Sequence, residues 1–291
     1  MDYKFTIFTP CYNGAKTIKR VFDSVEAQTY ANFEWIIVND GSKDGSDMVI
    51  RGLIEKSPAK KKIRYVVQSN CGKHRAWNRV AEMADSDLFL CADADDAFLP
   101  DTLAFYNEKA NEIGLVGSDV FCGINACAFD HATGEIVGTE FPENGLACDN
   151  FEMVYKYRVK GDKWMCNRTD FMKANRFPEI DAPFVPETRL WYKFALDGYK
   201  LKCYNKYLMS HYVERSSLCN SIWFKFNSRA AKSKLAYHFW LVRNAGWRIF
   251  KMNKREGLRL FFVITIKNFG MYFGGLLVEF WRKVQSRSPT K

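Results

Sequence analysis

Short apolar runs alternate with segments of helix-spaced apolar residues through the first half of the chain. The runs at 5–9, 33–38, 63–67 and 88–91 predict buried strands, and the segments between them predict helices. Pro100 predicts the start of another helix, because proline is favoured in a first helical turn. This alternation predicts an α/β fold with a Rossmann-like, mostly parallel central sheet and helices on both faces.

The second half of the chain is less regular. Further strands are predicted at 120–129 and 201–207, and the segment 160–187 is rich in aromatic residues, proline and charge. Beyond residue 220 the pattern is helical, basic and aromatic. We therefore expect a main domain at 1–220 and a basic helical C-terminal extension at 221–291.

Polar clusters follow three of the predicted strands. They read TPCYNG after the first strand, NDGS after the second and CADADD after the fourth. In open α/β sheets, ligands bind at the carboxyl ends of the strands. This placement favours a ligand site over three unrelated surface turns.

The first two clusters have side chains suited to a nucleoside. Tyr12 and Asn13 can stack on a base and hydrogen-bond to it, and Asp40 can accept from a ring N–H or a ribose hydroxyl. Each cluster taken alone is also ordinary turn and helix-cap chemistry.

The segment NCGKHRAWN places basic residues at the start of a predicted helix. Lys73 and Arg75 there would favour an anion such as a diphosphate. The alternative is a capped surface helix with solvated charges. Cations oppose the helix dipole at this end, so a compensating anion is expected nearby.

The acidic cluster CADADD directly follows an apolar run. If the strand persists, Asp93 and Asp95 share one face and Asp96 points away. Two carboxylates on one face suit Mn²⁺ or Mg²⁺, which share coordination with substrate phosphates. The alternative is a solvated strand end with Asp96 capping the turn before Pro100.

The positive charge is concentrated at the C-terminus. The chain carries a net charge of +10, but residues 222–291 hold fifteen Lys and Arg against two acids, and the rest is close to −3. This distribution disfavours a general nucleic-acid-binding surface and predicts helices lying on an anionic membrane interface. The alternative is a helical subdomain packed on the body or on a partner subunit.

Nine cysteines without CxxC pairs, and no signal-peptide pattern, predict a reducing cytoplasm. With the basic tail, this predicts a peripheral position on the inner face of the plasma membrane.

The order of the pieces TPCYN, EWIIVNDGS, NCGKHRAWN and CADADD resembles the family 2 glycosyltransferases, which have the GT-A fold. The resemblance covers about residues 3–215. It implies a donor half at about 1–115 and an acceptor half at about 116–220. The segments KGDK and FVPE resemble a subgroup that is typical of bacterial surface-polysaccharide clusters, such as those for capsule or lipopolysaccharide.

The resemblance implies roles for individual residues. Donor-binding roles fall on Thr9, Pro10, Tyr12, Asn13, Asp40, Lys73, Arg75 and Asp93, and metal-binding roles on Asp95, Asp93 and His211. This chain has Trp77 at a position where many family members have arginine. The resemblance therefore implies that Lys73 or Arg75 takes the place of that arginine. It also makes Glu187 the catalytic base, with Asp162 as the second choice. His211 and Glu214, in SHYVERSS, are late metal or phosphate contacts, unless His211 is an ordinary core histidine.

The implied reaction is an inverting transfer of a hexosyl or N-acetylhexosaminyl group. The donor would be a nucleotide-sugar, such as a UDP-sugar, and the acceptor a glycan or a lipid-linked glycan. The alternative functions are a nucleotide-sugar-binding protein without turnover and a nucleotidyltransferase. A nucleotidyltransferase would be expected to show a glycine-rich, basic phosphate loop after the first strand, and TPCYNG lacks one.

Overall fold

The computed structural model describes residues 1–180, 184–212 and 228–264, with a few single positions up to 276. These residues belong to two compact units. Unit 1 comprises 1–179 and 190–213, and unit 2 comprises 180–189 and 214–291. The expected border at residue 220 lies outside the described residues, and the assignment of catalytic and tail domains stays a prediction.

Unit 1 is built on nine strands. They are β1 (Phe5–Cys11), β2 (Phe33–Asn39), β3 (Ile63–Val67), β4 (Leu88–Cys91), β5 (Ala97–Phe98), β6 (Phe121–Asp130), β7 (Leu146–Cys148), β8 (Lys163–Arg168) and β9 (Lys200–His211). The helices are α1 (Ile18–Glu26), α2 (Ser46–Lys56), α3 (Lys73–Met83), α4 (Thr102–Glu112), α5 (Thr169–Ala174) and α6 (Thr188–Leu196). A 3₁₀ turn covers Lys60–Lys62, and a π-helical turn covers Glu152–Lys156.

All nine strands join one mixed sheet. Its order is β3-β2-β1-β4-β8-β6-β9-β5, and β7 pairs with β9. Among the described strands, β1 to β4, β6 and β9 run in one direction, and β5, β7 and β8 run against them. The expected α/β sheet is therefore present as a mixed sheet, in which β1 to β4 pair in parallel and β6 pairs in parallel with β9.

The two faces of the sheet are covered by different helices. Phe5 and Ile7 on β1 belong to one apolar cluster with residues of α1, α2 and α4. Phe8 points to the opposite face and meets Trp77 of α3 edge-on, with ring centroids 5.6 Å apart. Strand side chains alternate between faces, so a fully buried strand needs apolar residues at both parities. The near-continuous apolar run of β1 follows from this.

The strand directions bring several chain segments to one edge of the sheet. The carboxyl ends of β1 to β4, β6 and β9 lie at this edge, and so does the amino end of β8, since β8 is antiparallel to β4 and β6. We call it the carboxyl edge. Candidate residues from 9 to 211, widely separated in sequence, therefore meet at one side of unit 1.

From residue 228 onward, the described part of unit 2 is mainly helical. Helix α7 (Ser228–Met252) is followed by α8 (Lys254–Arg259) and a π-helical turn at Leu260–Ile264. Asn253 caps α8, because its side chain accepts a hydrogen bond from the backbone N–H of Glu256. A Cβ added at Gly257 would lie 2.6 Å from the Cα of Phe250, so glycine permits the close crossing of the two helices.

None of the described helices combines the length and the apolar character needed to cross a membrane. None of the described cysteines forms a disulfide, and all of them except Cys71 are buried.

Candidate functional site

The loops after β1 and β2 are hydrogen-bonded to each other at the carboxyl edge. The backbone N–H of Asn13 donates to Ser42 Oγ over 2.9 Å, and Asn13 Oδ1 accepts from the backbone N–H of Lys43 over 2.8 Å. Gly14 N–H donates to Ser46 Oγ over 3.0 Å. Asn13 sits in the left-handed region at φ 53°, which asparagine tolerates better than most residues. The two predicted nucleoside clusters therefore form one surface.

Asp40 ties the loop after β3 to this surface. Its carboxylate accepts hydrogen bonds from Gln68 Nε2 and from the backbone N–H groups of Cys71 and Gly72, over 2.8, 3.0 and 2.9 Å. Asp40 is buried and directly follows the last residue of β2. The carboxylate thus fixes the segment that leads into α3, and its expected contact with a nucleoside stays a prediction.

The TPCYN residues differ in exposure. The hydroxyl of Thr9 is buried and accepts the indole N–H of Trp35 over 2.9 Å, so this side chain supports the strand from inside. Pro10 is half-buried within β1, and Tyr12 is 41% exposed. Of the three, Tyr12 presents the side chain that a base could stack on.

The acidic cluster forms a turn and not an extension of β4. The strand ends at Cys91, and the backbone N–H of Asp96 donates to the carbonyl of Asp93 over 3.2 Å. We call residues 93–96 the acidic turn. The expectation that Asp93 and Asp95 share one strand face is therefore wrong, because hydrogen bonding within the turn replaces strand pairing.

Lys73 supplies the charge partner of the acidic turn. Its Nζ lies 2.6 Å from Asp93 Oδ1, and both side chains are about one-third exposed. This ion pair answers the expectation of an anion near the N-terminus of α3. Arg75 is half-buried and lines a pocket of mixed charge, together with Asn78, Arg79, Glu82, Arg176 and Glu179.

Burial and neighbouring negative charge raise the pKa values of two carboxylates in the acidic turn. Burial, and then the charge of Asp93, raise the pKa of Asp95. The pKa of Asp96 rises to about 7 through burial and the neighbouring Asp93, although His211 opposes the rise. Carboxylates that resist ionisation in this way are stabilised by a bound cation.

The pairing of β5 with β9 places Asp96 beside His211. Ala97 pairs with Ser210, so the residues next to them meet as well. His211 Nδ1 lies 2.9 Å from Asp96 Oδ1, which also accepts the backbone N–H of Tyr212 over 3.1 Å. Asp96 therefore joins the acidic turn to the end of β9, a role that the sequence left open.

The structure does not assemble Asp93, Asp95 and His211 into one ligand set. In the part of the chain that it describes, no three His, Cys, Asp or Glu side chains converge as a metal site would require. The physical reason is that Lys73 holds Asp93 and Asp96 holds His211. A carboxylate on one ring nitrogen is nevertheless the usual way in which a metal-binding histidine is oriented.

The residues that remain fit a divalent cation whose coordination is completed by substrate. Asp93 and Asp95 offer carboxylate oxygens, the ligands that Mn²⁺ and Mg²⁺ prefer, and a bound cation would offset the burial and the Asp93 charge that raise the pKa of Asp95. Diphosphate and water oxygens would supply the other positions.

The sequence patterns missed a group of side chains that supports the acidic turn. Arg20 of α1 donates from Nη1 to the carbonyl of Asp95 over 2.6 Å, and its Cζ lies 3.6 Å from the ring centroid of Tyr212. The ring of His131 stacks on Tyr212 at 4.1 Å. Arg20 looks like an ordinary helix-surface cation in the sequence, and no local signal distinguishes it.

Trp77, where the family pattern has arginine, lies in the core. It is 3% exposed and packs against Phe8, Phe89, Phe177 and Trp191, with ring centroids 5.5 to 5.9 Å away. Its indole fills an aromatic cluster and carries no charge for a phosphate.

The two candidate bases lie in different units. Asp162 is exposed, directly before β8, and so belongs to the carboxyl edge of unit 1. The segment around it is held by Lys163, whose Nζ donates to the carbonyls of Val137 and Lys160. Glu187 is half-buried and belongs to unit 2. Glu214 lies outside the described residues.

A known protein family matches the first part of the chain. The model of the family described as "Glycosyl transferase family 2" matches residues 6–120. This match contains β1 to β4, the three linked loops and the acidic turn. Residues 6–120 therefore match glycosyl transferase family 2.

Curated relatives are similar to the family 2 domain but are much longer than this chain. Glycosyltransferase GlyA of Streptococcus pneumoniae is 26% identical over 262 residues, which are 86% of this chain and 36% of that protein. The teichoic acid poly(glycerol phosphate) polymerase of Staphylococcus epidermidis is 34% identical over 115 residues, 39% of this chain and 16% of that protein. The chain spans little more than a third of the first relatives it matches.

Solved structures support the same fold. S. aureus TarS 1–349 in complex with UDP-GlcNAc superimposes with a TM-score of 0.65 at 16% identity, covering 94% of this chain and 79% of that one. The mannosyltransferase PcManGT of Pyrobaculum calidifontis, in complex with GDP-Man and Mn²⁺, gives 0.59 at 16% identity, covering 100% and 77%. The GT-A fold predicted from the sequence is confirmed.

Proposed function

We propose that the chain is an inverting glycosyltransferase, using a nucleotide-sugar with UDP as the first candidate nucleotide. The observation that carries the proposal is the acidic turn, which lies at the carboxyl edge of a family 2 domain beside three mutually bonded loops. The UDP-GlcNAc complex of TarS, whose fold is similar, supports the choice of donor.

Asp93 and Asp95 would hold the divalent cation, Mn²⁺ or Mg²⁺, and His211 is a further candidate ligand. The Mn²⁺ complex of a protein with the same fold supports this cofactor. When bound, such a cation neutralises the charge that develops on a diphosphate leaving group. Tyr12, Asn13 and the backbone after β1 and β2 would hold the nucleoside.

Glu187 is proposed as the base, and Asp162 as the second choice. The carboxylate takes the proton of the acceptor hydroxyl, and the acceptor oxygen attacks the anomeric carbon. The bond from that carbon to the diphosphate oxygen breaks, and its electron pair leaves with the diphosphate. A single displacement inverts the configuration. Lys73 meets the diphosphate from the start of α3.

The acceptor is proposed to be a glycan or a lipid-linked glycan of a cell-surface polysaccharide. The similarity to a teichoic acid polymerase of S. epidermidis supports this substrate class. The transferred group would be a hexosyl or N-acetylhexosaminyl group, and capsule and lipopolysaccharide are further candidate polysaccharides of this class.

Unit 2 is proposed to rest on the inner, anionic face of the plasma membrane. Among the described residues, the exposed Phe and Trp side chains all lie between 239 and 273. Trp247 stacks on Phe250 with centroids 5.4 Å apart, and a Cβ at neighbouring Gly246 would lie 3.1 Å from the ring of Phe261. We call Trp247, Phe250, Phe261 and Phe262 the aromatic patch.

Basic side chains accompany the aromatic patch. Arg243, Lys251, Lys254, Arg255 and Arg259 are exposed on the same two helices. Exposed aromatic rings and cations together are typical of helices that lie in a membrane interface. An enzyme placed there could reach an acceptor carried on a lipid.

The deciding experiment is a screen of nucleotide-sugars with the purified chain. We expect binding and slow hydrolysis of one UDP-sugar, dependent on Mn²⁺ or Mg²⁺ and abolished by EDTA. Binding without hydrolysis or transfer would instead favour the nucleotide-sugar-binding protein. Release of diphosphate from a nucleoside triphosphate and a sugar phosphate would favour the nucleotidyltransferase.

A further inference from the structure

The ion pair between Lys73 and Asp93 involves two residues that the proposed function needs for different partners. Lys73 is proposed to meet the diphosphate, and Asp93 the divalent cation, yet they are bonded to each other at 2.6 Å. An Asp93 oxygen held by an ammonium group is a weakened metal ligand, because the positive charge of Lys73 opposes the arrival of a second cation.

The pair is placed so that it can be broken. Both side chains are about one-third exposed, and ion pairs with this degree of solvation contribute little to stability. The rest of the site does not depend on it. Arg20 holds the carbonyl of Asp95, and Asp40 holds the backbone of the loop that leads to Lys73.

Opposite charges are paired both before and after the Lys73–Asp93 ion pair is broken by an arriving donor. In the structure, the single charge of Lys73 offsets that of Asp93. If a divalent cation and a diphosphate arrive together, the cation compensates the acidic turn and the diphosphate offers Lys73 new anionic oxygens. Each charged group then has a partner of opposite sign, which neither ligand alone would provide.

We infer that Lys73 exchanges partners during donor binding, from Asp93 in the empty site to the diphosphate in the loaded site. This inference rests on the proposed function. Lys73 thereby lowers the affinity of the empty protein for the metal and raises the affinity of the metal-bound protein for the nucleotide. Metal and nucleotide would bind cooperatively as a result.

The test compares Lys73→Met with the original chain in two binding measurements. Mn²⁺ binding without nucleotide is followed through the electron paramagnetic resonance signal of free Mn²⁺, and UDP binding at saturating Mn²⁺ by calorimetry. We expect Lys73→Met to bind Mn²⁺ about threefold more tightly, as loss of one exposed ion pair predicts. It should bind UDP about tenfold more weakly, as loss of a charged hydrogen bond predicts.

The two shifts have opposite signs, which a general disturbance of the fold would not produce. Lys60→Met is the matched control, because Lys60 forms a similar ion pair with Glu55, at 2.7 Å, ahead of β3 and so at the opposite edge of the sheet. It should change neither affinity. Lys73→Arg keeps the charge and should stay close to the original chain in both measurements.

Weaker or unchanged Mn²⁺ binding by Lys73→Met would overturn the partner exchange, as would unchanged UDP binding. If the original chain binds no UDP in the presence of Mn²⁺, the proposed function fails instead. The two failures are therefore distinguishable.

Discussion

At the scale of single residues, the acidic turn is organised by contacts that lie outside the acidic motif. Asp96 reaches His211 and the backbone of Tyr212, Asp93 reaches Lys73, and Arg20 holds the carbonyl of Asp95. Carboxylates crowded together need fixed positive partners, so these contacts decide where each oxygen points. The acidic motif is therefore only part of the site.

Removal of the Arg20 guanidinium tests this view. Arg20→Gln loses the bond to the Asp95 carbonyl and the stack on Tyr212, so the turn should lose its fixed geometry. We expect about fivefold weaker Mn²⁺-dependent UDP binding, with a loss of stability of about 1 kcal/mol.

Lys19→Gln on the same helix is the control, since Lys19 forms an ion pair with Asp23, one helical turn away. Calorimetry gives the affinity and urea unfolding gives the stability. Equal UDP affinity in Arg20→Gln and the original chain would show that Arg20 does not position the turn.

The proposed base gives a second prediction at this scale. Glu187→Gln keeps the shape of the side chain but removes its ability to take a proton. Transfer should fall by about 100-fold or more, while UDP-sugar binding changes little. Initial rates and donor titration would be measured together, with Glu143→Gln, an exposed loop residue, as the control.

Substantial turnover by Glu187→Gln would contradict its role. If Asp162→Asn were the inactive variant, the second choice would become the base.

At the scale of elements, the donor surface depends on three loops that bond to one another. Each loop follows a parallel strand, so the sheet sets their spacing and short side chains complete the links. Gly41 shows how tight the packing is. It adopts φ 73°, and a Cβ there would lie 2.7 Å from the backbone nitrogen of Asn70.

Gly41→Ala should therefore be destabilised by about 1 to 3 kcal/mol, since alanine is strained at positive φ and would also push the loop after β3 away. Gly52→Ala is a control of opposite sign. Gly52 lies within α2 with nothing near its Cβ position, so alanine should stabilise by up to about 1 kcal/mol.

Urea unfolding midpoints of the two variants measure this difference. An unchanged midpoint in Gly41→Ala would mean that the loop yields without cost.

At the scale of the whole chain, the two units differ in surface chemistry. Exposed Phe and Trp side chains of the described residues are confined to unit 2, with exposed cations beside them. Unit 1 carries the proposed donor site. A division of labour between catalysis and membrane contact is the proposal that follows from this difference.

Vesicle sedimentation tests that division. The chain should sediment with phosphatidylglycerol vesicles at low salt, less at high salt, and little with phosphatidylcholine, because salt screens the cationic contribution. Replacing both Trp247 and Phe262 by Ser should weaken binding by about tenfold or more, since two large apolar side chains leave the interface.

Met48→Ser is the matched control. Met48 is 75% exposed in unit 1 and should not affect sedimentation. Absence of binding to anionic vesicles by the original chain would rule out the membrane proposal and favour a partner subunit for the aromatic patch.

The sequence by itself determined the strands in the first half of the fold. β3 and β4 have the predicted limits, and β1 and β2 differ from prediction by no more than two residues at either end. Buried parallel strands read as apolar runs, and turn chemistry follows each one, so local pattern suffices there. The same logic located the candidate donor residues at one edge of the sheet.

Only the tertiary structure decided how those residues are used. Thr9 and Trp77 proved to be core side chains, and Asp96 proved to join two strands. Arg20, His131 and Tyr212 carried no signal in the sequence. The contacts of Asp96 and Tyr212 depend on the order and register of the strands, above all on the pairing of β5 with β9. That pairing joins residues more than a hundred positions apart, and such pairing produces no periodic pattern in the sequence.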